Sequence, residues 1–183
     1  MILKQDITRI SKLLSFALRH KPVDLNIHLD ENGWTDVSIL LQRLVEKGEN
    51  INIDILKYVV ATNEKQRFAF NSDETKIRAN QGHSVSVQLE YAPQQPPKFL
   101  YHGTIKKFMP FILKDGLQKM KRHHVHLTND IATATKVAER RGKAVILIIN
   151  AGQMFLKAHN FYLSDNGVWL TTAVPPEFIT RLP

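Results

Sequence analysis

An arginine and a histidine stand side by side at Arg19-His20, where an apolar helical pattern is cut off by Lys21-Pro22. A guanidinium group binds anionic oxygens through paired N–H donors, and histidine exchanges protons near neutral pH, so the pair has the chemistry to hold and act on a phosphate. Cations near a helix C-terminus also interact favourably with the helix dipole, for about 0.3–1 kcal/mol. On this segment alone, a helix cap is the favoured interpretation.

Two other stretches carry the same ambiguity. Arg140-Arg141 closes a predicted helix, where two cations suit either the helix dipole or a phosphate. Tyr101-His-Gly-Thr104 is predicted to leave a strand through its glycine, which lets a backbone or a ligand approach closely, while His102 and Thr104 offer hydrogen bonds. By itself, the second stretch is equally typical of an ordinary turn at a strand end.

Histidines are numerous, eight in all, and three of them lie in His123-His124-Val-His126. Strand alternation puts His124 and His126 on one face, which suits two ligands of a metal ion. The chain has no cysteine, and few carboxylates are nearby to complete a site. We therefore expect no metal, and interpret these histidines as groups that line a cleft.

Composition bounds the class of protein. With 183 residues, 43% hydrophobic and 23% charged, the chain is typical of a soluble globular protein. The absence of cysteine excludes disulfides, thiolate metal sites and a cysteine nucleophile. No apolar stretch approaches the roughly 20 residues that span a bilayer, and no secretory signal is visible at the N-terminus. We expect a cytoplasmic protein without a membrane partner.

The positive charge of the chain lies in its second half. Residues 1–97 hold 12 Lys and Arg against 12 Asp and Glu, whereas residues 98–183 hold 13 against 5, so the later part carries the whole formal charge of +8. A protein surface with this excess of positive charge attracts a polyanion.

A proline-rich seam, Tyr91-Ala-Pro-Gln-Gln-Pro-Pro-Lys98, predicts two lobes, 1–94 and 95–183. In the first lobe, apolar spacing from Ile7 to Leu18 predicts a helix, and a hairpin is predicted at Arg67–Phe70 and Lys76–Ala79 with Phe68 and Phe70 on one face. Two further helices are predicted between them, one capped by Thr35 and running through Lys47, and one over Asp54–Ala61. Three helices followed by a hairpin suggest a winged helix.

The second lobe alternates short strands with helices, which indicates a mixed α+β fold. Neither GxGxxG nor GxxxxGK[ST] occurs, so the usual nucleotide folds lack support. The predicted strands are Phe99–His102, His124–Leu127, Ala144–Ile149, Phe161–Leu163 and Val168–Thr171, and the predicted helices end at Asp115-Gly116 and run from Asn129 or Asp130 to Arg141-Gly142.

Seven stretches, in order along the chain, match one family: LSFALRHKP, VVATNEKQRFAF, IRANQGHS, LYHGT, HHVHLTND, ERRGK and NGVWLT. The chain resembles the NAD-dependent RNA 2′-phosphotransferases, the tRNA splicing enzymes and their bacterial and archaeal relatives, from about Ile7 to Ile179. The resemblance implies a winged-helix amino lobe and an ADP-ribosyltransferase-like carboxyl lobe, with RNA and NAD meeting in the cleft between them.

The resemblance also implies site residues. An Arg-His-Arg-Arg group that acts on the phosphate carries over to Arg19, His20, Arg67 and Arg140, with Arg140 favoured over Arg141. NAD binding is implied for His102, Gly103 and Thr104, with Thr128 as a further candidate, and RNA contacts for Arg78, Gln81 and His83.

In the implied reaction, an internal RNA 2′-phosphate of the tRNA splice-junction type attacks the nicotinamide ribose of NAD and expels nicotinamide. The ribose O2″ then attacks phosphorus, which releases 2′-OH RNA and ADP-ribose 1″,2″-cyclic phosphate. The first step needs positioning more than a base, because the phosphate is already an anion near pH 7. The second must protonate a departing ribose oxygen, for which His20 is the candidate acid or base. Many ADP-ribosyltransferases carry a glutamate on a late strand, and Asn166–Thr171 contains no acid.

Two alternatives remain beside this interpretation. One is an ADP-ribosyltransferase that stops after the first step or modifies nucleic-acid 5′-phosphates or protein. The other is a non-enzymatic winged-helix protein that binds nucleic acid, which the neutral charge of residues 1–97 argues against. We expect a monomer.

Overall fold

The computed structural model of the chain describes residues 3–89 and 91–183. It divides into two compact units, 1–90 and 91–183, whereas the seam prediction places the boundary at 94/95. The two units together confirm a mixed α and β architecture. None of the helices in the described ranges is both long and apolar enough to cross a membrane.

The first unit is built from helices followed by a small antiparallel sheet. The predicted first helix ends at Arg19, because Pro22 opens a separate 3-10 turn over Pro22–Leu25. The buried side chains of the helices and the hairpin form one core, with Leu14, Leu40 and Leu56 fully buried. The elements are α1 (Lys4–Arg19), β1 (Thr35–Asp36), α2 (Val37–Glu46), α3 (Ile53–Ala61), β2 (Phe68–Phe70) and β3 (Lys76–Ala79).

The predicted cap of α2 is wrong by one residue. Thr35 lies in β1 and is buried, and its neighbour Asp36 caps the helix. The Asp36 carboxylate accepts hydrogen bonds from the backbone N–H groups of Ser38 at 2.8 Å and Ile39 at 3.2 Å. A hydrogen bond from the Ser38 hydroxyl lowers the pKa of Asp36 most, and the two backbone N–H groups lower it further. A carboxylate satisfies two free helix N–H groups at once.

The predicted hairpin is present, with β2 and β3 antiparallel and Phe68 paired with Ala79. Both Phe68 and Phe70 pack against the core, as the alternation predicts. A short strand was missed in the sequence, because two residues give no detectable period. This strand, β1, pairs with the other edge of β3, so the sheet order is β1-β3-β2.

The second unit is built from short antiparallel strands that pack with helices around Leu100, Leu147 and Phe161. The elements are β4 (Leu100–Ile105), α4 (Met109–Asp115), β5 (Leu117–Gln118), β6 (Val125–Leu127), α5 (Ile131–Glu139), β7 (Ala144–Ile149), α6 (Ala151–Leu156), β8 (Phe161–Leu163), β9 (Trp169–Thr171), β10 (Ala173–Val174) and β11 (Ile179–Arg181). The sheets have the orders β11-β7-β4, β6-β9-β8 and β10-β5.

Gly103 does not end a strand, contrary to the expectation from the sequence. Strand β4 continues to Ile105 and pairs with β7 along its whole length. A Cβ at Gly103 would lie 1.9 Å from the carbonyl oxygen of Ala134 in α5 and 3.2 Å from the Cβ of Ala138. The glycine is therefore needed because a helix backbone lies directly against the strand.

Candidate functional site

Three of the predicted phosphate-binding residues meet in the first unit. Arg19 is in the last turn of α1 and Arg67 directly precedes β2, yet Nη2 of Arg19 donates to the carbonyl oxygen of Arg67 at 3.3 Å. The Arg19 guanidinium also lies 6.0 Å from the ring centroid of Phe68. His20 follows as the C-cap residue of α1. We call Arg19, His20 and Arg67 the cationic cluster.

Asn63 orients Arg67 from the segment after α3. Its side-chain oxygen accepts from the backbone N–H of Arg67 at 3.3 Å and from Nη1 of the same residue at 3.4 Å. Its side-chain nitrogen donates to the Ser11 hydroxyl of α1 at 2.9 Å. One amide thus connects the helix that carries Arg19 to the guanidinium of Arg67.

Ser84 holds the other end of the cluster. Its backbone N–H donates to the carbonyl oxygen of Arg19 at 2.8 Å, and its hydroxyl lies 2.9 Å from Nδ1 of His20. The first bond satisfies a helix-terminal carbonyl, so Arg19-His20 does stand at a capped helix end. The second contact restrains the imidazole ring.

The residues predicted to touch RNA differ in their accessibility. The Arg78 guanidinium stacks over Trp34, 4.5 Å from the ring centroid, and Gln81 is half-buried. His83 is only 1% exposed, and a Cβ at Gly33 would lie 3.4 Å from its Nε2. In this structure His83 supports the loop from inside and does not offer a surface contact.

A second cluster of cations and imidazoles lies in the second unit. Nδ1 of His102, on β4, lies 3.0 Å from the carbonyl oxygen of His126 on β6. Because a carbonyl oxygen only accepts, Nδ1 carries the hydrogen and Nε2 of neutral His102 is an acceptor. Burial lowers the pKa of His102 against the opposing effect of this bond, and the positive charges of Arg141 and Arg122 lower it further. We call His102, His126, Arg122 and Arg141 the histidine–arginine cluster.

Arg122 donates from Nη1 to Nδ1 of His126, with 2.5 Å between the two nitrogens. Nδ1 of His126 is therefore unprotonated. Burial, followed by the charge of Arg141, lowers the pKa of Arg122, which keeps its charge at any physiological pH. The cluster combines two half-buried imidazoles with the exposed positive charges of Arg122 and Arg141.

The other residues predicted to bind the cofactor pack against neighbouring elements, and their role in binding stays a prediction. Gly103 faces α5, and Thr104 is buried. Thr128 pairs through its backbone with Tyr101, and its hydroxyl accepts from the N–H of Asp130, the cap residue of α5. These residues fix the strand and the loop on either side of His102.

The two arginines after α5 are placed differently. Arg140 is the C-cap residue of α5 and is exposed. Arg141 is near enough to lower the pKa values of His102 and Arg122 through its charge. The choice of Arg140 as the fourth arginine of the phosphate group stays a prediction.

The histidine pair at the end of the β5–β6 loop has ordinary packing. The His124 ring lies 5.5 Å from the Tyr162 ring, centroid to centroid. Burial lowers the pKa of His124, with smaller contributions from His123 and Lys119. Within residues 3–89 and 91–183, no three His, Asp or Glu side chains are grouped as a metal site would require.

Comparison with known proteins decides the family. The model of the RNA 2'-phosphotransferase, Tpt1 / KptA family matches residues 4–173. The chain belongs to this family. It is 52% identical over 170 residues to a Flavobacterium johnsoniae protein called "Probable RNA 2'-phosphotransferase", covering 93% of each chain.

Proteins of the same name are similarly close in other bacteria. The Hahella chejuensis protein is 49% identical over 172 residues, covering 94% of this chain and 92% of its own. The Burkholderia pseudomallei protein is 51% identical over 172 residues, covering 94% of each. The resemblance recognised in the sequence motifs is thereby confirmed over nearly the whole chain.

Asn63, Ser84 and Arg122 were not selected from the sequence, and His126 was interpreted there only as a group that lines a cleft. Asn63 and Ser84 lie inside the motifs VVATNEKQRFAF and IRANQGHS, and His126 lies inside HHVHLTND. Arg122 stands immediately before the histidine motif. The motifs marked the correct segments, but only the folded chain shows which side chains meet.

Proposed function

We propose that the protein is an NAD-dependent RNA 2′-phosphotransferase. It transfers an internal 2′-phosphate, of the kind left at a tRNA splice junction, to NAD and gives 2′-OH RNA, nicotinamide and ADP-ribose 1″,2″-cyclic phosphate. The observation that carries this proposal is the meeting of Arg19, His20 and Arg67 in a chain of the RNA 2'-phosphotransferase family. Three relatives across bacteria bear the corresponding name.

The proposal gives each unit a part. The first unit, with its helices before a β1-β3-β2 sheet, acts as a winged helix that binds RNA. The second unit, with small antiparallel sheets packed by helices, acts as the ADP-ribosyltransferase-like unit that binds NAD.

The cationic cluster binds the 2′-phosphate. Guanidinium groups stay charged and offer paired N–H donors, so Arg19 and Arg67 match a phosphate dianion in both charge and shape. Asn63 and the Arg67 carbonyl hold the two guanidinium groups in place before substrate arrives. Donors arranged in advance stabilise the charge that develops on phosphorus in the second step. Arg140 is proposed as the fourth arginine.

His20 supplies a proton to the departing RNA 2′ oxygen. As the protonated ring, His20 carries hydrogen on both nitrogens, so Nδ1 donates to the Ser84 hydroxyl oxygen and Nε2 donates to the leaving oxygen. Imidazole exchanges protons readily in water, so a histidine side chain suits both the donor and the acceptor role in this step.

The histidine–arginine cluster fits NAD chemically. The acceptor Nε2 of His102 suits a ribose hydroxyl, and the charges of Arg122 and Arg141 suit a pyrophosphate. When bound, NAD supplies an electrophilic ribose carbon whose leaving group, nicotinamide, departs as a neutral ring. Thr104 and Thr128 keep the strand and loop around His102 in place.

The reaction is tested with an oligoribonucleotide that carries one internal 2′-phosphate, incubated with and without NAD. We expect 2′-OH RNA and ADP-ribose cyclic phosphate only when NAD is present, at a rate that EDTA does not change. A matched oligonucleotide with a 3′-terminal phosphate is the control and should remain intact. Inorganic phosphate released without NAD would assign a phosphatase, and RNA that stays ADP-ribosylated would assign an enzyme that stops after the first step.

A further inference from the structure

A groove between α1 and α3 extends well beyond the cationic cluster. It has a volume of about 730 Å³ and is lined within the first unit by residues of both helices and by the segment leading to Arg67. The cluster accounts for the part near the C-terminus of α1. The part along the middle of α1 has no role in binding the phosphate itself.

The α1 wall of this groove is a continuous polar stripe. Thr8, Ser11, Lys12 and Ser15 line the groove and follow the three- and four-residue spacing that leads to Arg19. Residues at this spacing share one helix face, and the opposite face is buried in the core. Hydroxyl and ammonium groups are the usual contacts of a protein to the sugar-phosphate backbone.

Two aromatic rings lie beside this stripe. Phe16 of α1 and Tyr58 of α3 line the groove, and they are 42% and 49% exposed. Both rings have been left at the surface although the unit has a well-formed apolar core. Exposed aromatic rings next to a cationic groove are the surfaces on which single-stranded bases stack.

The groove is also positively charged. Lys12 and Lys65 line it together with Arg19 and Arg67, and Glu64 is the one acid among the described lining residues. Lys12 is exposed and forms no ion pair with any residue in the described ranges. It is therefore available to a phosphate.

We propose that the outer part of this groove binds the single RNA strand that flanks the 2′-phosphorylated nucleotide. The proposal rests on the proposed function, because it extends the substrate from the phosphate held by Arg19. Arg19 lies seven positions after Lys12 on the helix, a rise of about 10 Å. At the roughly 3.4 Å per nucleotide of a stacked strand, the outer groove accommodates about three nucleotides. Lys12 contacts their phosphates and Tyr58 stacks on a base.

Binding of labelled RNA to the full-length protein tests the groove without turnover. We compare a 2′-phosphorylated trinucleotide with versions lengthened by four nucleotides on the 5′ or the 3′ side. Lengthening on one side should tighten binding about tenfold or more, as expected when a base stacks on an aromatic ring. Tyr58→Ala should remove most of that gain, and Tyr58→Phe should keep it. Equal affinity for short and long RNA would overturn the proposal.

Lys12 is tested against a lysine outside the groove. Lys12→Ala should reduce the slope of log affinity against log salt concentration by about 0.7, the value for one contact to a single strand. Lys12→Glu should weaken binding of the longer RNA more than Lys47→Glu, which makes the same charge change at the exposed end of α2. Equal weakening by the two variants would show a general charge effect and would overturn the proposal that the groove binds RNA.

Turnover of the trinucleotide with NAD separates the two proposals. If the wild-type protein converts the trinucleotide but lengthening brings no gain in binding, the groove assignment fails and the proposed function stands. If RNA binds with the expected length and Lys12 dependence but is not converted with NAD, the groove stands as an RNA site and the proposed reaction fails.

Discussion

Arg19→Lys distinguishes a helix cap from a phosphate ligand. In the structure Arg19 donates a hydrogen bond to the Arg67 carbonyl oxygen at 3.3 Å and lies in the last turn of α1. Lysine keeps the charge, and with it most of the dipole interaction of at most about 1 kcal/mol. The charged hydrogen bond to the carbonyl is worth about 1.5–3 kcal/mol, part of which lysine retains. We therefore expect a loss of stability of about 2 kcal/mol.

A loss of this size cannot lower activity appreciably at 25 °C. Even at the low end of ordinary stability, about 5 kcal/mol, roughly 3 kcal/mol would remain, and about 99% of the protein would be folded. Loss of the paired donors to a phosphate, in contrast, should slow turnover on the order of 100-fold, as removal of one donor does at an oxyanion site. The two roles of Arg19 therefore differ about 100-fold in their predicted effect on rate.

The assay measures melting temperature and turnover of 2′-phosphorylated RNA with saturating NAD, both on the same preparation. Arg43→Lys is the matched control, because Arg43 also lies in the last turn of a helix and pairs with Glu46 at 2.8 Å. Arg43→Lys should leave turnover unchanged. A folded Arg19→Lys protein with wild-type turnover would refute phosphate binding and return Arg19 to a capping role.

Three further predictions follow from the two clusters. His20→Ala should slow the second step, so that 2′-phospho-ADP-ribosylated RNA accumulates. Ser84→Ala should slow the second step about fivefold, the value of one ordinary hydrogen bond. The RNA is analysed on a gel, and the absence of this intermediate would contradict both expectations. Gly103→Ala should lower the melting temperature sharply, because its Cβ would lie 1.9 Å from the Ala134 carbonyl oxygen; unchanged melting would show that α5 shifts freely. NAD affinity, measured by calorimetry, should be constant above pH 6.5 and fall at lower pH, because the pKa of His102 is lowered and Nε2 accepts a hydrogen bond only while the ring is neutral. His102→Ala should weaken NAD binding and remove this pH dependence. A variant with the wild-type pH profile would exclude His102 from the NAD site.

Local signals in the sequence predicted much of the fold. The end of α1 before Pro22 and the hairpin around Asn71–Thr75 depend on residues within a few positions of each other, so composition and period suffice. The cap of α2 was misplaced because Thr35 and Asp36 are both good cap residues and only the pairing of β1 with β3 chooses between them.

The site depends on distant parts of the chain, which no local pattern reports. Arg19 and Arg67 are 48 positions apart, and their convergence was predicted only through the family resemblance. Ser84 reaches His20 because the loop after β3 returns to α1. Gly103 was assigned to a turn because nothing in YHGT indicates that a helix lies against the strand.

The neutral charge of residues 1–97 was taken from the sequence as an argument against a non-enzymatic winged-helix protein that binds nucleic acid. The structure shows why a total is a poor guide here. Arg43 pairs with Glu46 and Lys57 pairs with Glu74, so acids and bases on other surfaces cancel each other locally. At physiological salt, charges are screened over about 8 Å, and a phosphate responds to the side chains within that distance. The charged side chains that the structure describes along the groove are cationic with the exception of Glu64, so a unit of neutral total charge still has a locally positive groove.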